Sequence, residues 1–228
     1  MEYNHKITAG TVVYKDNKRL AEWVNRWADM ADRLIVLDQT RYQIPSEVPN
    51  VSNLEHVPVT PNGNPDMHWN SLMFSAAEGY LLRLGSDEFM DEEMFEAMRQ
   101  EIDQYPHVVL WFIRRRNWID GIDRSDIFAC GDDFRGGDPE GYDWQPALVK
   151  LDVNNQPLPV VYSVHMHTAP QVMCPNELVA FMDPKRFWID HQRTSEMVKD
   201  ANAKRNTFLN DKGRHLQSRF IQAMEVGK

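Results

Sequence analysis

Residues Gly79 to Phe95 read GYLLRLGSDEFMDEEMF, a stretch that constrains the fold more tightly than any other in the chain. Tyr80, Leu81, Leu82 and Leu84 form the short apolar run of a buried strand. Gly85 and Ser86 make a hinge, Asp87 and Glu88 present two carboxylates, and a helix with an acidic first turn follows, Asp91 as its N-cap. A buried strand ending in carboxylates at its C-terminal edge belongs to an open α/β sheet, which binds ligands at that edge. Carboxylate oxygens are also what a hard divalent cation takes, usually together with substrate phosphates. The bland alternative is that Asp87 and Glu88 only favour the helix dipole, worth about 0.3–1 kcal/mol.

The flanking segments supply the rest of such a sheet. Ile7 to Tyr14 (ITAGTVVY) reads as a first strand. Asp16 or Asn17 caps the helix that follows, in which Leu20, Trp23, Val24, Trp27 and Ala31 fall on one apolar stripe. Arg33 to Leu37 is a second strand ending at Asp38, and Leu54 to Val59 a third, closed by the turn-rich PVTPNGNP. Trp69 to Ala77 is helical. This alternation predicts the α/β class, with a mostly parallel, Rossmann-type sheet flanked by helices.

Further on, Val108 to Ile113 is a strand, and Arg114–Arg116 with Trp118 forms a basic-aromatic edge. Residues 120–143 are acidic and glycine-rich, the composition of a surface loop or lid. Gln145–Leu151 and Val160–Thr168 read as two more strands, and from Pro184 the chain reads as a polar C-terminal helical segment. With no internal repeat or low-complexity linker, a single domain spans 1–228. Its nucleotide half covers about 1–105, its acceptor half about 106–183, and its basic helical tail 184–228.

Charge and cysteine content narrow the function classes. The net charge of −9 argues against wholesale coating of nucleic acid. Between Lys185 and Arg219, however, nine Lys/Arg stand against four Asp/Glu, which fits a local anionic contact or a solvated helix face. The longest clearly apolar run, Val108–Ile113, is too short for a transmembrane segment, and the start MEYNHK has no apolar signal region. Cys130 and Cys174 lack CxxC spacing and read as reduced thiols, so a cytoplasmic location is expected.

One more segment carries chemistry. In VVYSVHMHT, strand alternation puts Val160, Tyr162, Val164 and Met166 on one face and Val161, Ser163, His165 and His167 on the other. Two imidazoles on a polar face, with Asp87 and phosphate oxygens, make a donor set for six-coordinate Mg²⁺ or Mn²⁺.

Together, ITAGTVVYKDNKRLAEWVNRWADMADRLIVLD and LLRLGSDEF resemble the start of the GT-A-type family 2 glycosyltransferases. The later segments resemble the branch typified by bacterial lipopolysaccharide-core β-1,4-glucosyltransferases, over roughly residues 6 to 168. Where that branch has D-x-D-E, D-Y-Q-x-R-L-F-R and V-H-E, this chain has GSDE (Gly85–Glu88), YDWQPALVK (Tyr142–Lys150) and VHM (Val164–Met166). The resemblance implies a GT-A-like fold and metal-dependent, inverting transfer of a sugar from a nucleotide-sugar donor, expected to be a UDP-sugar, to an acceptor hydroxyl.

By the same resemblance, Val12 and Asp38 lie at the donor, Asp38 on its base or ribose. Asp87 and His165 hold the metal at the diphosphate, with His167 beside them, and Asp143 is the candidate general base. Asp120, Asp123, Asp132 and Asp133 are the other carboxylates available for that role. Three positions depart from the pattern: Gly85 replaces the first acid, Met166 the glutamate and Ala147 an arginine. Arg83 is the cation that stands in at the phosphates if its side chain enters the cleft. The acceptor class implied is a bacterial glycan, with a hydroxymethylated DNA base, as in phage DNA modification, second. The alternatives are a nucleotidyltransferase on a similar sheet and a catalytically degenerate sugar-nucleotide-binding module.

Overall fold

The computed structural model describes residues 5–13, 17–39, 48–60, 68–125, 142–151, 160–162, 171–173 and 176–199. The chain begins β1 (Ile7–Val13), α1 (Asn17–Trp27), β2 (Arg33–Asp38), β3 (Leu54–Pro58), α2 (Trp69–Ala76) and β4 (Tyr80–Arg83). These strands form one continuous parallel block in the order β3-β2-β1-β4. The α1 stripe explains why: Leu20, Trp23, Val24 and Trp27 are fully buried against β1 and β2, each aliphatic contributing about 1.5–3 kcal/mol. On the opposite face α2 sets Leu72 over β1. A Cβ at Gly10 would lie 2.7 Å from Leu72 Cδ2 and 2.9 Å from Leu81 Cδ1, so the strand is bare there to let the helix close down.

Next come β5 (Glu88–Phe89), α3 (Glu92–Gln104), β6 (Leu110–Ile119), β7 (Ile122–Asp123), β8 (Asp143–Lys150), β9 (Val160–Tyr162), β10 (Gln171–Met173), β11 (Val179–Phe181) and β12 (Trp188–Arg193). From β4 the sheet continues as β8-β6-β12-β5, with β8 antiparallel to both neighbours, β12 parallel to β6, and β5 antiparallel to β12. Consecutive strands β4 and β5 therefore lie at separated places in the sheet order, and the turn between them carries Asp87. The β6–β7 hairpin closes through Asp120 (φ 49°) and Gly121 (φ 78°), the left-handed pair that a two-residue hairpin loop requires.

The α/β class is the expected one, and so is the parallel order of the first half. Two boundaries differ. β6 does not stop at Ile113 but runs through Arg114–Arg116 to Ile119, because Asn117 and Ile119 stay buried at alternate positions. Trp188–Arg193, expected within a helical tail, is strand β12: Ile189 and His191 are buried while Trp188, Asp190 and Gln192 between them are not, a period of two. Residues 200–228 of the expected tail, and Ser163–Thr168 of the expected histidine strand, lie outside the described residues.

Candidate functional site

β1, β2 and β4 are parallel, so their C-terminal ends share one edge, with Val13 opposite Asp38 and Gly10 opposite Arg83. At this edge the turn Gly85–Glu88 is fastened twice. The Glu88 amide donates to the Gly85 carbonyl (3.1 Å), and the Gly85 amide donates to Glu88 Oε2 (2.7 Å). The Gln192 amide donates to the Asp87 carbonyl (2.9 Å), which docks the turn on β12. A Cβ at Gly85 would fall 2.7 Å from Asp87 Oδ1. Glycine at the first position of GSDE is thus what leaves room for the Asp87 carboxylate in its present orientation.

Three nitrogen groups converge on Asp87 Oδ2: His191 Nε2 at 3.2 Å, Arg193 Nε at 3.6 Å and Arg19 Nη1 at 3.8 Å. Arg19 reaches over from α1, where its Nη1 also donates to the Gln192 carbonyl (2.7 Å). Burial works to raise the Asp87 carboxyl, but His191, Arg193 and Arg19 outweigh it and hold the group well below the usual carboxylate range. Burial, followed by Arg193, pushes the His191 imidazole down against the upward pull of Asp87.

Behind His191 a buried polar chain crosses three strands. His191 Nδ1 lies 2.8 Å from Asn117 Oδ1, and Asn117 Nδ2 donates to Asp143 Oδ2 (2.9 Å). Arg115 Nε donates to the same Asp143 oxygen (2.8 Å), and its Nη1 donates to Glu88 Oε1 (3.1 Å). Gln145 Nε2 donates to Asp143 Oδ1 (2.7 Å). Burial acts to raise the Asp143 carboxyl, yet Arg115, Asn117 and Gln145 bring it below its ordinary value. The side chains pointing this way (Arg115, Asn117, Asp143, His191) come from alternate positions of β6, β8 and β12, so one sheet face supplies them all.

The residues singled out in sequence fall in different places. Asp87 is in the cluster. Asp38 is buried at the end of β2, with His56 Nε2 2.9 Å from its Oδ2. Val12 packs in the apolar layer under α2 with Leu37 and Leu72. Arg83 turns to that same α2 face, its guanidinium 4.5 Å from the centre of the Trp69 ring and its Nη1 donating to the Pro146 carbonyl (3.3 Å). It therefore points away from Asp87. Asp143 has donors on both oxygens, the surroundings of an anchor, whereas a general base needs an oxygen open to the acceptor hydroxyl. Asp120 instead accepts from Ser195, and Asp123 from Ser125 and Arg116. His165, His167, Asp132 and Asp133 lie outside the described residues. Sequence reasoning placed Arg115 only in a basic-aromatic edge and missed His191, Asn117, Arg19 and Arg193; for His191 and Arg193 the available signal was the alternation of WIDHQR after Phe187.

Asp87 Oδ2 and His191 Nε2, 3.2 Å apart, are a carboxylate oxygen and an imidazole nitrogen, donor types that Mg²⁺ or Mn²⁺ accepts. Among the described residues no group of three or more His, Cys, Asp or Glu gathers to hold a metal. Around the pair, the carboxylates of Asp87, Glu88 and Asp143 are matched by the guanidiniums of Arg19, Arg115 and Arg193.

No protein-family model and no curated protein matches the chain. Among solved structures it is similar to the crystal structure of residues 1–349 of TarS from S. aureus, with 19% identity and a TM-score of 0.46. The match covers 64% of this chain and 47% of that one, so the chain spans about half the length of that structure. It is also similar to the mannosyltransferase PcManGT from Pyrobaculum calidifontis, solved with GDP-Man and Mn²⁺ (18% identity, TM-score 0.41, 50% of this chain and 36% of that one). A third similarity is to 4-diphosphocytidyl-2C-methyl-D-erythritol synthase (10% identity, TM-score 0.42, 66% of this chain and 77% of that one). Among the described residues no helix is long and apolar enough to cross a membrane.

Proposed function

We propose that this chain is a GT-A-type glycosyltransferase that moves a sugar from a nucleotide-sugar donor, a UDP-sugar first among candidates, to an acceptor hydroxyl with inversion. The observation that carries the reading is the convergence of His191, Arg193 and Arg19 on one oxygen of Asp87, at the C-terminal edge of a parallel β-α block. In such sheets that edge receives the nucleotide, and the departing diphosphate needs its developing charge offset there. The local charges are already balanced, so an incoming diphosphate adds negative charge that a divalent cation offsets. Asp87 and His191 would hold that cation, which supplies Lewis-acid stabilisation of the leaving phosphate oxygens.

The chain's own side chains do the rest. Arg19 and Arg193 add positive charge beside the diphosphate, and Asp38, braced by His56, meets the base or ribose. Asp143 acts as a positioning residue through Arg115 and Asn117 rather than as the base. The acceptor proposed is a bacterial glycan.

A second reading has its own observation. Two guanidiniums within 4 Å of Asp87 are the equipment of a transferase that neutralises the diphosphate with arginine alone. One experiment tests both. Purified protein is screened with UDP- and GDP-sugars for donor hydrolysis, with Mg²⁺, with Mn²⁺ and with EDTA. Turnover that EDTA abolishes and Mn²⁺ restores supports the cation; turnover indifferent to EDTA supports the arginines. Absence of nucleotide-sugar binding by calorimetry would overturn both.

A further inference from the structure

Strand β6 carries a different chemistry on each face. Arg115, Asn117 and Ile119 leave one face, towards His191 and Asp143, while Phe112, Arg114, Arg116 and Trp118 leave the other. Across the register, Trp144 of β8 stands opposite Arg114. On the far side β11 and β12 set Phe181 opposite Phe112, Trp188 opposite Arg114 and Asp190 opposite Arg116. Arginines and rings alternate on this second face. The Arg114 Cζ lies 4.2 Å from the centre of the Tyr142 ring, and the Arg116 Cζ lies 4.8 Å and 5.1 Å from those of Trp118 and Trp188. Phe181 stacks on Phe112 (4.9 Å, 19°) and meets Trp144 edge-on (5.1 Å, 81°), yet stays 43% exposed.

The charges here are unevenly matched. Arg116 Nη2 donates to Asp123 Oδ2 (3.3 Å), and Trp118 Nε1 donates to Asp190 Oδ1 (2.6 Å). Arg114 Nη1 donates to the Pro184 carbonyl (3.3 Å), but among the described residues no carboxylate pairs with this arginine and its buried Nε has no partner. A sugar ring has an apolar C–H face that lies well on an aromatic ring, and hydroxyls that suit Asp123, Asp190 and the guanidinium edges. One acidic group can be taken by Arg114, whose planar donor fork matches a carboxylate or phosphate. A single-stranded nucleic acid fits less well: it brings a phosphate with every base past Asp123 and Asp190, on a chain of net charge −9.

We infer that this face is a carbohydrate platform for an extended glycan bearing a carboxylate or phosphate group, with Arg114 as the contact of the anion and Phe181, Trp118 and Trp188 as stacking rings. From Phe112 to Trp118 the row runs about 20 Å at the usual rise of a strand. β6 and β12 are parallel to β4, so the row ends at the same sheet edge as Asp87. Gln192, opposite Trp118 in the register, is the residue whose amide holds the Asp87 carbonyl. A glycan lying along the row is therefore directed towards that edge. Its being the acceptor rests on the function proposed above; its binding does not, because neither donor nor cation takes part in it.

The test reads binding in the absence of donor and cation. Full-length protein in EDTA is applied to an array of bacterial oligosaccharides in neutral, carboxylated and phosphorylated forms, and those that bind are titrated by calorimetry beside an oligothymidylate. Acidic members are expected to bind, the carboxylated and phosphorylated arms deciding which group Arg114 takes. Arg114→Gln should lower their affinity about 10–100-fold, the worth of a hydrogen bond to a charged group, and bring it to that of the neutral forms. Phe181→Ala should weaken every bound form several-fold. Tyr105→Ala removes an equally exposed ring (43%) that lies against Trp111 on the opposite face, and should change nothing. Asp87→Ala should keep glycan binding. No binding to any glycan overturns the inference. So do equal affinities for neutral and acidic forms, tighter binding of the oligothymidylate, or Arg114→Gln and Phe181→Ala proteins of unchanged melting temperature that bind like wild type. Glycan binding by a protein with no nucleotide-sugar affinity upholds the platform and removes the acceptor role.

Discussion

Asp38 with His56 and Asp87 with His191 are both carboxylate–imidazole pairs on the same sheet edge, with Nε2 2.9 Å from the oxygen in the first and 3.2 Å in the second. In the first pair, His56 comes from the neighbouring parallel strand and donates to a carboxylate that can only accept, so the pair is satisfied internally. In the second, the ring's other nitrogen lies 2.8 Å from Asn117 Oδ1, and two arginines stand around the carboxylate. The first is a brace between two neighbouring parallel strands; the second is built into a charge network that draws on α1, β6, β8 and β12. What separates them is not the two residues but the charged groups gathered round them.

The comparison breaks most decisively at Asp87. Asp87→Ala is expected to bring Mg²⁺ and Mn²⁺ binding below detection by calorimetry and to abolish sugar transfer, with an unchanged circular dichroism spectrum. Asp38→Asn is expected to keep cation affinity and weaken nucleotide binding. If the two variants exchange these phenotypes, the cation and nucleotide assignments are reversed.

Next in size is Asp143→Asn, which leaves Arg115 with Glu88 alone. Removing one partner of so buried a pair should cost about 3 kcal/mol in urea unfolding. The same carboxylate governs an acid limb. Its folded-state pKa lies below the unfolded value of about 3.9, so its stabilisation is complete above that pH and is lost as pH falls through the folded value. Wild-type stability should therefore drop more steeply than that of Asp143→Asn between about pH 4 and pH 2. Parallel curves for the two proteins would show that Asp143 is not the group responsible.

A smaller effect is expected at Gly85. The added Cβ of Gly85→Ala crowds the end of the Asp87 side chain and meets Glu88 at ordinary contact, so the fold tolerates it while the carboxylate must turn. Cation affinity should fall several-fold at nearly constant melting temperature, and Gly85→Asp, which supplies the first acid of a D-x-D-E pattern, should impair binding rather than improve it. Smallest of all is His56→Gln, which loses one hydrogen bond worth about 1 kcal/mol and should leave cation affinity untouched.

The centre of the parallel block was legible because β1, β2 and β4 are buried on both faces and read as apolar runs, with the helix stripe Leu20, Trp23, Val24 and Trp27 equally plain. Asp87 was legible as a carboxylate closing such a run. His191 was not, because WIDHQR is a short polar strand set in charged sequence, and only its partners β6 and β5 make it a strand. Asn117, and the buried pairing of Arg115, were hidden for a related reason. RRRN in the middle of LWFIRRRNWI defies strand propensity, and its cost is offset by carboxylates from β5 and β8 that no local pattern reveals.

The turn that carries Asp87 has a consequence for how this protein is made. It follows β4 directly, yet it becomes part of the sheet only when β12 arrives from about 100 residues further along, a closure whose entropy must be met by contacts formed elsewhere first. During synthesis the β3-β2-β1-β4 block can consolidate early, with its carboxylate edge in place but without the imidazole that completes it. A nascent chain is thus chemically mute until its late strands dock, so the site's ability to take a ligand reports that the whole described sheet has closed.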